Sequence, residues 1–107
     1  RIFESLGFEV TIAKDGKEAC NVFEKMPPGT FKAIFMDIQM PVLNGYDATI
    51  NIRKMQRMDA AAIPIIAMTA DAYTSAMDKA KLSGMNGFIT KPLLIERICS
   101  VIEENHI

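Results

Sequence analysis

The chain carries no excess of positive charge: 12 Lys and Arg residues stand against 13 Asp and Glu, for a net charge of -1. Without a basic field, neither nucleic acid nor an anionic membrane surface is expected as a direct partner, and adaptor-type protein contacts fit better. Cysteine is scarce. Cys20 and Cys99 lie far apart, with no C-x-x-C spacing and each within a helical apolar pattern, so both are read as reduced core thiols of a cytosolic protein. The single histidine, His106, sits at the very end of the chain, where segments fray, and is read as an exposed tail residue rather than a proton relay. No apolar stretch approaches the length needed to cross a bilayer and nothing resembles a signal peptide. A soluble cytoplasmic domain is therefore expected, with a membrane anchor elsewhere in a parent chain left open. Neither a G-x-G-x-x-G nor a Walker pattern is present, which argues against a nucleotide binder. The D-x-D of aspartate-based phosphatases reads Asp37-Ile38-Gln39 here, without the second acid.

What is present is the composition of one globular domain: 107 residues, 50% hydrophobic and 23% charged, enough for a single core. Strand-like and helix-like patterns alternate, with no repeat or low-complexity segment between them. A short helix from Arg1 to Leu6, stopped by Gly7, leads into an expected strand over Phe8–Ala13. Asp15-Gly16 opens a helix whose apolar positions Ala19, Val22, Phe23 and Met26 share one face, and Pro27-Pro28-Gly29 closes it. A second strand is predicted over Lys32–Met36, followed by a loop through Pro41, Asn44 and Gly45. A helix from about Tyr46 to Met58 comes next, with Ala48, Ile52 and Met55 as its inner stripe. Ile63–Met68 reads as a central strand covered on both faces. Ala72, Ala76 and Ala80 suggest a close-packed helix ending near Gly84, and Phe88–Thr90 a short strand. The last helix is expected to turn Leu94, Ile95, Ile98, Val101 and Ile102 inward. Met36, Met55 and Met68 read as core filler, and Met40 as a packing residue of the loop after Asp37. This alternation predicts an α/β fold, a parallel sheet with helices on both faces.

Three apolar runs each end on one polar residue: AIFMD on Asp37, IPIIAMT on Thr69 and GFITK on Lys91, which Pro92 follows. As parallel strands they would bring an acid, a hydroxyl and an amine to one sheet edge, where open α/β sheets place their ligands. A carboxylate there can attack a phosphorus centre and form an acyl phosphate when cations offset the transferring charge. Lys91 would supply a fixed cation and Thr69 a hydroxyl hydrogen bond to a phosphate oxygen. The loop after Asp37 suits Mg²⁺, which takes few carboxylates together with carbonyl and water oxygens; the main-chain oxygen of Gln39 is the carbonyl candidate. Tyr46 and Tyr73 flank this edge, and partial burial accounts for them as well as gating does.

The segments FMDIQMPVLNGYDA, IAMTADA and GMNGFITKPL resemble the receiver domain of two-component response regulators, most closely the receivers of hybrid histidine kinases. The likeness spans essentially the whole chain. It implies a flavodoxin-like three-layer sandwich with sheet order 2-1-3-4-5. It further implies Asp37 as phosphoacceptor, Thr69 as switch hydroxyl, Lys91 as phosphate-binding lysine, Phe88 as the rotating aromatic, and a cis bond before Pro92. A histidine kinase or histidine phosphotransfer domain is the implied partner, and Mg²⁺ the implied cofactor.

One departure bears on the metal. Receivers begin with a strand ending in an acidic pair that holds Mg²⁺, whereas this sequence opens inside the helix that follows that strand. Asp15 and Glu18 read as cap and solvated face rather than replacements. The expectation is that the first strand belongs to the molecule but not to this sequence, with a swapped strand from a second copy, and so a dimer, as the alternative. Magnesium binding by these residues alone is then expected to be weak or absent. The implied function is phosphoacceptance in a phosphorelay, in which the domain catalyses its own phosphorylation and a hybrid kinase (a transferase) is the expected parent. A stand-alone response regulator and a phosphorylation-independent interaction module are the alternatives.

Overall fold

The structure is a computed structural model that describes residues 2–38, 43–70, 74–105 and 107. The elements run α1 (Ile2–Ser5), α2 (Gly16–Lys25), β1 (Ile34–Asp37), α3 (Gly45–Arg53), β2 (Ile65–Thr69), α4 (Thr74–Ser83), β3 (Gly87–Thr90) and α5 (Ile95–Glu104). The sheet is 3-stranded and parallel throughout, in the order β1-β2-β3. The expected order, read without its first two strands, is this one.

Strand alternation divides the core between the two faces of the sheet. Ile65 and Ala67 of β2 pack with Met36, Ile38, Ala48 and Ile52 on the side of α2, α3 and α4. Ile66 turns the other way, joining Ile89 with Ile98 and Val101 of α5. Phe3 of α1 closes that second face, its ring 4.5 Å from that of Phe35. Because β2 is covered on both sides, its apolar run is nearly continuous, as a central parallel strand requires.

Arg53 fastens the end of the sheet away from Asp37, and Arg57 ties α2 to the turns after α3. The Arg53 guanidinium donates to the Gly84 carbonyl at 2.8 and 3.0 Å, to the Ala60 carbonyl at 3.0 Å and to Asn86 Oδ1 at 2.8 Å. Asn86 Oδ1 also accepts the Ile65 N–H at 2.8 Å, and the Asn86 N–H donates to the Ile65 carbonyl at 2.8 Å. The starts of β2 and β3 are therefore tied to each other and to the end of α3. Arg57 lies over the Phe23 ring at 4.2 Å, donates to the Phe23 carbonyl at the end of α2, and pairs with Asp59 at 2.6 Å. Hydrogen bonding from Arg57 holds the Asp59 carboxyl below the usual carboxylate range, and Asp59 also accepts the Gly29 N–H.

Five expectations are corrected. Phe8–Ala13 forms no strand. A strand exists only through its ladder, and a cavity of about 420 Å³, lined by Val10, Ile12, Phe35 and Asp37 among others, separates this segment from β1. Ile12 is accordingly 80% exposed. In the expected order the first strand lies between these two walls. The helix expected to reach Met58 stops at Arg53, and Met55 packs on the core from the turns that follow. Leu94 and Ile95 are 57% and 49% exposed: the helix begins only at Ile95, so its inward stripe starts with Ile98, while Leu93 packs inward in their place. Cys99 is exposed rather than a core thiol, and Met26, at the end of α2, is exposed too. Cys20 is half-buried and donates to the Ala48 carbonyl; burial, with Glu24 beside it, pushes its thiol pKa up. Ala72, Met40, Tyr73 and His106 lie outside the described residues or, for Ala76, the described side chains.

Arg53→Met keeps the aliphatic stem and strands the Gly84 and Ala60 carbonyls together with Asn86. It is expected to lower unfolding free energy by about 2–3 kcal/mol in denaturant titration, from lost charge-assisted bonds and unmet acceptors. A loss under about 0.5 kcal/mol would show that water replaces the guanidinium at little cost.

Candidate active site at the carboxyl edge of the sheet

Register decides which strand-end residues meet. Asp37 lies opposite Met68, and Thr69 opposite Thr90. Asp37, Thr69 and Lys91 thus emerge along one edge, each at or just past the end of its strand. The Lys91 N–H donates to the Thr69 carbonyl at 2.7 Å, which extends the ladder by one residue and aims the lysine back across β2. Its Nζ reaches Asp37 Oδ2 at 2.7 Å. The Lys91-Pro92 peptide bond is cis.

Asp37 and Lys91 are both part-exposed, with side chains 32% and 39% accessible, so a reagent can approach the pair from solvent. Thr69, at the end of the strand between theirs, is buried at 5% exposure. Phe88, in β3 opposite Ala67, is half-buried and packs on the core beneath. Tyr46 opens α3 next to the site, with Lys79 of α4 over its ring at 5.2 Å.

The base of the loop after Asp37 is closed by the Gly45 N–H, which donates to the Ile38 carbonyl at 3.0 Å. Asn44 caps α3 by accepting the Asp47 N–H at 2.9 Å. A Cβ on Gly45 would stand 2.5 Å from the Asp37 carbonyl oxygen, so only glycine permits this approach. Sequence reasoning took Asn44-Gly45 for a loop signal and did not anticipate that contact. The available clue was a glycine at a helix start, where other residues propagate the helix better.

Gln39, the carbonyl candidate for a metal, lies outside the described residues. Among the described residues no group of three or more His, Cys, Asp or Glu side chains converges to hold an ion. Asp15 lines the same cavity as Asp37, but its carboxylate accepts the Glu18 N–H at 2.8 Å as the cap of α2. Magnesium takes an octahedral set of oxygens around one or two carboxylates. The described donors do not by themselves make up that set. Chemically, the arrangement offers a carboxylate nucleophile, a fixed cation on it and a buried hydroxyl at the same edge.

Residues 1–103 match the family model described as the response regulator receiver domain. The chain is 42% identical over 109 residues to hybrid signal transduction histidine kinase I of Dictyostelium discoideum, across 92% of this chain and 6% of that protein. To probable histidine kinase 3 of Oryza sativa subsp. japonica it is 37% identical over 120 residues, across 94% of this chain and 12% of that one. The chain therefore spans only a small part of the curated relatives it matches. Among solved structures, it superposes on the receiver domain of a sensor histidine kinase from Pseudomonas aeruginosa, which has a magnesium ion coordinated in its active-site cleft. That match has a TM-score of 0.83 and 33% identity, covering 96% of this chain and 80% of the other. No helix among the described residues is long and apolar enough to cross a membrane.

Part-exposed ion pairs contribute about 0.2–1 kcal/mol. Lys91→Met is accordingly expected to change unfolding free energy by less than about 1 kcal/mol, measured by denaturant titration at neutral pH. A loss above about 2 kcal/mol would mean that the Asp37–Lys91 pair holds the fold together.

Proposed function

This chain belongs to the response regulator receiver family, and we propose that Asp37 is its phosphoacceptor, taking a phosphoryl group from a phosphohistidine. The observation that carries the reading is the Lys91 Nζ to Asp37 Oδ2 contact at 2.7 Å with Thr69 at the same edge. In the transfer, an Asp37 carboxylate oxygen attacks phosphorus and forms the acyl phosphate bond. The phosphorus–nitrogen bond breaks, and the departing imidazole keeps the electron pair and takes up a proton. Lys91 moves its charge from the carboxylate to an oxygen of the transferring group, and Thr69 donates its hydroxyl to another.

The same reading gives Thr69 and Phe88 the switch. Phosphate at Asp37 draws the Thr69 hydroxyl toward it, Phe88 follows into the space released, and the surface of α4, β3 and α5 changes for a partner. The partner is a histidine kinase or histidine phosphotransfer domain, and the parent a hybrid histidine kinase in the cytoplasm. The resemblance to a hybrid signal transduction histidine kinase at 42% identity and to a probable histidine kinase at 37% supports a kinase parent over a stand-alone regulator.

Labelling with a phosphohistidine donor tests the acceptor. At saturating Mg²⁺ the chain is expected to carry a hydroxylamine-labile label, and the Asp37→Asn variant to lose it by at least about 100-fold, the scale on which a missing nucleophile is felt. Undiminished label in the variant, resistant to hydroxylamine, would sink the assignment.

Magnesium is the proposed cation. Because Asp37 is the one strand-end carboxylate at the described edge, the 107-residue chain is expected to bind Mg²⁺ at least about tenfold more weakly than a receiver with a full oxygen set. Calorimetric titration reads this directly, and equal affinity would overturn it.

A further inference from the structure

Helix α2 enters the site from the side, through its first turn. That turn is locked: the Asp15 carboxylate accepts the Glu18 N–H at 2.8 Å, and the Glu18 carboxylate reaches back to the Lys14 N–H at 3.2 Å. This reciprocal pattern has the logic of a capping box. One turn on, Cys20 Sγ donates to the Ala48 carbonyl at 3.6 Å and ties α2 to α3. The helix start is therefore a firm abutment.

Gly16, the first residue of α2, is buried against Leu43. A Cβ at Gly16 would overlap the Leu43 carbonyl oxygen and stand 2.8 Å from its carbonyl carbon and 3.1 Å from its Cβ. Two of those three atoms are backbone, so no rotamer change relieves the overlap. Leu43 is followed by Asn44, the cap of α3, and by Gly45, whose N–H holds the Ile38 carbonyl at 3.0 Å. Gly45 in turn abuts the Asp37 carbonyl. Contacts run without a break from Gly16 through Leu43 and Gly45 to the backbone of Asp37.

We propose that Gly16 is a positioning residue for Asp37: its missing side chain lets the capped start of α2 set where Leu43 and Gly45 lie, and so how Asp37 meets an incoming phosphoryl group. This rests on the reading of Asp37 as phosphoacceptor. Relieving the overlap in Gly16→Ala demands a backbone displacement of about 1 Å, and misplacements of that size cost about 100-fold in rate.

The test compares Gly16→Ala with Gly7→Ala. Gly7 has φ +94° and nothing within 4 Å of an added Cβ, so its substitution strains the backbone far from this contact. Gly16→Ala is expected to slow phosphoryl uptake from a phosphohistidine donor by about 10- to 100-fold and to shift the amide resonances of Ile38 and Gly45. Gly7→Ala is expected to lower the melting temperature while leaving uptake within about twofold and both amides in place. Uptake within about twofold in Gly16→Ala, or unmoved Ile38 and Gly45 amides, would overturn the proposal. If Gly16→Ala does not fold, Asp15→Ala decides, because it loosens the abutment without adding atoms: faster hydrogen exchange at the Gly45 amide supports the role, and unchanged exchange refutes it. Failure of the unsubstituted chain to take label would count against Asp37 as acceptor, and the amide shifts in Gly16→Ala would still decide the role of Gly16.

Discussion

The site depends on parallel register. Side chains along a strand alternate between faces and rise about 3.3 Å per residue, so a slip of one residue both turns a side chain over and moves it by that rise. Lys91 reaches Asp37 across the width of β2 at 2.7 Å, a margin that no slip would leave. Register is held at both ends of the sheet. Near the site, the Ile38 N–H donates to the Met68 carbonyl at 3.1 Å and the Lys91 N–H to the Thr69 carbonyl at 2.7 Å. At the far end, Arg53 and Asn86 bind the first residues of β2 and β3 to the end of α3. A cation remote from the chemistry thereby helps define it.

The two-sided core explains how a change at the edge can reach the surface. Ala67 lies between Met36 and Phe88 in the sheet. Phe88 is half-buried there and belongs to the same packed face as Ala48 and Ile52, one residue before Ile89, which belongs to the opposite face with α5. Because packed interiors shift between discrete arrangements rather than deform smoothly, a residue at the seam between two clusters is well placed to move both. Arg97 of α5 also donates to the Phe88 carbonyl at 3.5 Å, which links the last helix to the same strand.

Much of this was legible in the sequence because it rests on local patterns. Apolar runs bounded by turn residues located β1, β2 and β3 to within two residues, and their polar last residues named the edge. Asp15 as a helix cap was readable from Asp-Gly before an amphipathic stretch, and the structure shows that cap. Pairing was not legible. Phe8–Ala13 has the alternation of a strand, yet strand structure belongs to a pair and not to a segment, and its neighbour across the cavity is not within bonding reach. Leu94 and Ile95 failed for a different reason: apolar periodicity gives the stripe of a helix but not its first residue, and one added turn moves two residues from core to surface. The contacts of Gly16 and Gly45 were hidden because glycine is informative through the atom it lacks, and what would fill that space comes from elsewhere in the chain.

The exposure of Asp37 and Lys91 suits the proposed chemistry. A buried ion pair would hold its partners in one geometry, and removing the lysine from the carboxylate would leave an uncompensated charge in a low-dielectric setting, at a cost of several kcal/mol. The proposed transfer to Asp37 involves just that exchange, with Lys91 passing from a carboxylate oxygen to an oxygen of the arriving group. At about one-third exposure on each side chain, water screens the separation and the pair contributes only about 0.2–1 kcal/mol, so the exchange is nearly balanced. The fold thus sets a screened, exchangeable cation beside a buried hydroxyl, and the arrangement follows from one fact of register: Thr69 ends the central strand, Asp37 ends one neighbour and Lys91 directly follows the end of the other.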